Sequence, residues 1–132
     1  MEQCGRFRFT PPTHVLLAMR QALRELVEEG GIEKREARYR ANHRVLVDGM
    51  RHLGFEPLIA PDYQSHIITA FLEPDGSFEF EEFYEYLHRV GFIVYPGKLT
   101  DVPTFRIANI GSIDTSEIQG LLQAIKTYCE LR

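Results

Sequence analysis

No apolar run in this 132-residue chain approaches the roughly 20 residues that a membrane-spanning helix needs. The N-terminus also lacks the basic-then-apolar layout of a signal peptide. Cysteine is scarce: Cys4 and Cys129 stand near opposite ends, in no CxxC and beside no histidine cluster. That spacing gives a zinc site no support, and no metal centre is expected. A reducing cytosol, where disulfides are rare, is the simplest compartment for such a chain. Positive charge is not in excess. The formal net charge is −4, which argues against the general basic footprint of a nucleic-acid binder. GxSxG, HExxH and HxxxH spacings are missing, as are the glycine-rich phosphate loops of nucleotide sites. Lysine is limited to Lys34, Lys98 and Lys126.

What remains is the composition of an ordinary globular domain, 44% hydrophobic and 26% charged, long enough to bury a core. Thr10-Pro11-Pro12-Thr13 reads as a helix start, with proline in the first turn and threonine supplying a capping oxygen. Val15, Met19, Ala22, Leu23 and Leu26 then recur at helical spacing until Gly30-Gly31. A second helix is predicted from about Glu33 to Leu53, with Tyr39, Leu46, Met50 and Leu53 on its apolar stripe. Its basic residues Lys34, Arg35, Arg38, Arg40 and Arg44 read as a solvated face partly neutralised by Glu33 and Glu36. Strands are expected at Phe55–Ile59, His66–Leu72, Phe92–Tyr95 and Phe105–Ile110, with turns at Pro74-Asp75-Gly76 and Pro96-Gly97. A helix over Phe80–Leu87 ends near Gly91. The last helix is capped by Asp114 or Thr115, with Glu117 close behind, and buries Ile118, Leu121, Leu122, Ile125 and Tyr128. The order ααββαββα predicts a two-layer α+β domain with a mainly antiparallel sheet.

Two polar features stand out. Thr10 lies at a helix mouth, where free N–H groups and the helix dipole favour an anion; a simple N-cap is the plainer alternative. Arg106 interrupts an apolar strand. Alternation puts Arg106, Ala108 and Ile110 on one face, and Phe105, Ile107 and Asn109 on the other. An arginine among buried-type residues needs an anion, and its planar fork suits a carboxylate or phosphonate. The competing reading is an edge-strand arginine paired with a local Asp or Glu. None of the lysines shows the desolvated or cation-flanked setting of a Schiff-base lysine.

The segments FRFTPPTHV (Phe7–Val15), EGG (Glu29–Gly31), ARYRAN (Ala37–Asn42), SHIITAFL (Ser65–Leu72), YPGKLT (Tyr95–Thr100) and FRIANIG (Phe105–Gly111) together resemble the C-terminal stretch of the 2-aminoethylphosphonate–pyruvate transaminase family. These are class V, fold-type-I aminotransferases that use pyridoxal 5'-phosphate (PLP). The TPP element is shared with alanine–glyoxylate and serine–glyoxylate aminotransferases; YPGKLT and FRIANIG are more specific. The resemblance implies that Thr10 binds the cofactor phosphate in the partner subunit of a homodimer. It also implies that Arg106 binds the acidic group of a small substrate, an aminophosphonate or pyruvate. The family commonly has glycine where this chain has Ala108. Residues 1–31 would be the cofactor-phosphate segment and the helix leading from a large domain, and residues 32–132 the C-terminal small α+β domain. The family's Schiff-base lysine lies upstream, so no catalytic residue is expected in this chain and the chain alone should be inactive. The alternatives are another class V aminotransferase and a non-catalytic α+β module that binds small acids.

Overall fold

The structure, a computed structural model, describes Phe7, residues 9–74, Gly76, residues 78–97 and residues 102–131. Cys4, Asp75 of the Pro-Asp-Gly turn, and Lys98, Leu99 and Thr100 of YPGKLT lie outside the described residues. The chain divides into two units between Glu36 and Ala37.

In the first unit, α1 spans Thr13–Glu28. Pro12 occupies the N-cap position and no side chain caps the helix. The expected threonine cap is therefore absent: Pro11 and Pro12 separate Thr10 from the first turn, and proline has no hydroxyl to offer in its place. Gly30 and Gly31 end the helix with φ of 104° and 85°, conformations open to glycine at little cost. Val15, Met19, Leu23 and Val27 are exposed, and no residue of α1 is buried.

The second helix, α2, spans Ile32–His52. The second unit then builds one core. A three-stranded antiparallel sheet consists of β1 (Ile68–Leu72), β2 (Tyr95–Pro96) and β3 (Thr104–Ala108), with β3 in the middle. Phe71, Phe105 and Ile107 project from one sheet face into a cluster completed by helices. From α2 come Leu46, Val47 and Met50; from α3 (Phe80–Arg89), Phe83 and Leu87; from α4 (Thr115–Glu130), Ile118, Leu121, Ile125 and Tyr128. The outcome is the expected two-layer α+β arrangement. Helix α4 starts as its sequence indicates: Ser116 N–H donates to Asp114 Oδ1 at 2.7 Å, and Asp114 N–H donates to Glu117 Oε2 at 2.7 Å.

Phe105 is fully buried and is the hub of the core. Its ring lies 5.2 Å from Phe83, 5.7 Å from Phe55, 5.8 Å from Phe71 and 6.0 Å from Phe78. Such pairs each add roughly 0.5–1.5 kcal/mol beyond their area of burial.

The strand expected at Phe55–Ile59 contracts to a single bridge between Pro57 and Phe71. Hydrogen bonds flank this bridge on both sides: Leu58 N–H donates to Ala70 O at 2.9 Å, and Leu72 N–H of β1 donates to Glu56 O at 2.8 Å, so the backbone nitrogen of Pro57 faces away from β1. At the other edge, β2 is shifted toward the Pro-Gly pair. Gly97 N–H donates to Thr104 O at 2.6 Å. A Cβ at Gly97 would overlap Thr104 Oγ1 and come within 2.5 Å of that carbonyl oxygen.

Phe105→Ala should lower the unfolding free energy by about 3–5 kcal/mol, the cost of a large cavity in a packed core. Urea titration followed by near-UV circular dichroism measures this; a loss below about 1 kcal/mol would contradict the role given to the ring cluster.

Candidate functional site

Strand parity decides where Arg106 goes. Phe105, Ile107 and Asn109 are buried, whereas Arg106 is half-buried and Ala108 and Ile110 are exposed. The predicted alternation holds, with Arg106 on the face opposite the core. Two readings of its surroundings change. Arg106 is not enclosed by apolar side chains, and it is not on an edge, because β3 pairs on both sides. Its Nε donates to Pro96 O at 3.3 Å. Among the described residues no carboxylate pairs with it. Its cross-strand neighbours are Ala70 on β1 and Tyr95 on β2. Residues directly opposite in an antiparallel pair project from the same face, so a small residue and a phenol flank the guanidinium.

The chain just beyond Arg106 is fastened by α2. Arg38 Nη1 donates to the carbonyls of Gly111 at 2.7 Å and Ile113 at 2.8 Å. Asn42 Nδ2 donates to Ile113 O at 2.9 Å, and Asn109 Nδ2 donates to His66 O at 2.8 Å. Both asparagines are fully buried, and a buried amide without such partners is costly. This clasp brings ARYRAN, SHIITAFL and FRIANIG together. In the sequence Arg38 belongs to a solvated basic face and Asn42 has no evident role. The signal was present: Asn42 sits one turn before Leu46 on the buried stripe, and Asn109 follows Phe105 and Ile107 on the inward face. Arg35 also leaves the solvated group, pairing with Glu29 at 2.6 Å.

Thr10 is exposed, and its hydroxyl has no hydrogen-bond partner among the described residues. With Pro12 at the N-cap, no side chain caps the first turn of α1; Thr13 N–H donates to Pro11 O at 2.8 Å, and the N–H groups of His14 and Val15 are left for an external acceptor such as a phosphate. Of the described lysines, Lys34 is exposed and Lys126 lies 3.7 Å from Glu130. Lys98 is outside the described residues. No cluster of metal ligands occurs among the described residues, and no described helix is long and apolar enough to cross a membrane.

Behind the clasp, the rings of His43 and His66 meet edge to face at 5.3 Å. Burial, and then the neighbouring charge of His66, hold His43 below its ordinary value of 6.5; Gln64 and Asp48 oppose the shift.

No family model matches the chain. Individual relatives do. The 2-aminoethylphosphonate–pyruvate transaminase of Phocaeicola vulgatus is 53% identical over 126 residues, covering 96% of this chain and 35% of the relative. The enzyme of the same name from Lactiplantibacillus plantarum is 48% identical over 130 residues, covering 98% and 36%. This chain is a relative of the 2-aminoethylphosphonate–pyruvate transaminases. It spans about a third of the length of the curated relatives it matches. Among solved structures, the alanine–glyoxylate aminotransferase of a Nostoc species superposes with a TM-score of 0.81 at 22% identity, covering 96% of this chain and 33% of that one. The pyridoxamine–pyruvate aminotransferase of Mesorhizobium loti superposes at 0.77 with 19% identity, covering 95% and 33%. At these identities the structures show the shared fold: the chain has the architecture of one region of an aminotransferase.

The lowered His43 value has a stability consequence. Between the folded value and 6.5 the unfolded chain binds more protons than the folded one, so this contribution is complete above 6.5 and is lost as pH falls through the folded value. Urea unfolding at pH 7.5 and pH 5.5 should show weaker folding at the lower pH, and His43→Gln should reduce the difference. An undiminished difference in the variant would assign the pH dependence elsewhere.

Proposed function

We propose that this chain is the C-terminal part of a PLP-dependent transaminase. Its full-length form moves the amino group of 2-aminoethylphosphonate to pyruvate, giving phosphonoacetaldehyde and alanine. The observation that carries the reading is Arg106, held through Nε on the open face of the central strand with its outer nitrogens available. The similarity to transaminases of that name supports the same substrate pair.

In this reading Arg106 receives the acidic end of either substrate, the phosphonate of the donor or the carboxylate of pyruvate. A guanidinium offers parallel N–H bonds to two oxygens and stays charged at all working pH values. Holding the acid end fixes the distance from the anion to the reacting carbon, the positioning a transamination site requires. The clasp of Arg38, Asn42 and Asn109 fixes the strand end that follows Arg106. Thr10 and the uncapped turn of α1 hold the phosphate of PLP, in the active site of the partner subunit of a cytoplasmic homodimer. When bound, PLP carries the amino group between the two half-reactions. The segment around Thr10 and α1 leads from a preceding large domain, and the rest forms the small domain. The lysine that joins the cofactor belongs to that large domain, so this chain alone has no transaminase activity.

In the full-length enzyme, Arg106→Ala should raise KM for 2-aminoethylphosphonate and for pyruvate by roughly tenfold or more, the loss of a charge-assisted hydrogen bond. Thr10→Ala should weaken PLP retention, read as cofactor released on gel filtration, with little change in those KM values. Unchanged KM values in Arg106→Ala would place the acid site elsewhere.

A further inference from the structure

The guanidinium of Arg106 can satisfy two acceptor oxygens, because Nε is already committed to Pro96 O at 3.3 Å and the outer two nitrogens remain. A carboxylate has two oxygens, in one plane, and a bidentate arginine pairs with both. A phosphonate has three, arranged as a tripod. Its third oxygen lies out of the guanidinium plane and needs another donor.

Tyr95 is placed to be that donor. It is the direct cross-strand partner of Arg106, so the two side chains leave the same sheet face with Cβ atoms on the order of 5 Å apart. Tyr95 is 53% exposed, and its hydroxyl has no partner among the described residues. The surrounding floor is low: Ala70 stands across β3's other side from Arg106, Ala108 is two residues along the strand, and Gly97 is held flat against Thr104. Nothing of comparable length competes with the phenol among these neighbours. The pairing also explains why YPGKLT accompanies FRIANIG: the first segment supplies both the carbonyl that steadies Arg106 and the phenol beside it.

We propose that Tyr95 is a substrate-contact residue that discriminates phosphonate from carboxylate, its hydroxyl donating to the third oxygen of the phosphonate held by Arg106. The proposal rests on the acid-binding role given to Arg106 above. The test uses the full-length, PLP-loaded enzyme with Tyr95→Phe, which removes only the hydroxyl and keeps the ring. KM for 2-aminoethylphosphonate should rise about tenfold, as for a lost hydrogen bond to a charged group. KM for pyruvate should change by less than about twofold, since Arg106 alone satisfies a carboxylate. Methylphosphonate should weaken as a competitive inhibitor in parallel, while acetate should not.

The outcomes separate cleanly. An unchanged KM for the phosphonate in Tyr95→Phe, beside a raised KM in Arg106→Ala, overturns the role of Tyr95 alone. An equal rise for phosphonate and pyruvate overturns the discrimination. Unchanged values in Arg106→Ala overturn the acid-binding reading itself.

Discussion

The packing of aromatic rings around Phe105 is the constraint on which the rest depends. With Phe55, Phe71, Phe78 and Phe83 gathered about it, this residue cannot rotate out of the core without leaving a large void. A one-residue slip of β3 would exchange its two faces, sending Arg106 into that cluster and Phe105 into solvent. The burial of one ring thus decides the position of the adjacent charge. Side chains on the open face need contribute little to folding, and they are available for recognition.

Polar fastening complements this apolar lock. The core ends near Ile107, and beyond it the carbonyls of Gly111 and Ile113 are secured by groups from α2. The solved aminotransferases keep this architecture at identities near 20%, while their names record different substrates. The backbone path is thus common to chains whose sequences differ at most positions.

Much of this was legible in the sequence because the physics was local. The capping box at Asp114 and Glu117 depends on residues three apart, and the stop at Gly30-Gly31 on the glycines themselves. The alternation through Arg106 required one strand and no partner. Other features depended on distant segments. How far Phe55–Ile59 pairs is decided by β1, some dozen residues later, which meets it in one bridge at Pro57. The basic residues of α2 look uniform along the helix, yet Arg38 separates from them on meeting carbonyls 73 and 75 residues away. The roles proposed for Thr10 and Arg106 rest on a family likeness joined to local chemistry, since helix mouths and strand arginines are common by themselves.

Pro57 has a further consequence at the periphery. The sheet has two outer edges, and each carries a proline, Pro57 beside β1 and Pro96 in β2. A strand arriving from another molecule needs a row of donors and acceptors to extend a ladder, and each proline removes a donor from that row. A three-stranded sheet this small would otherwise be an inviting template for its neighbours in a crowded solution. These two residues leave each outer edge one donor short of a full ladder.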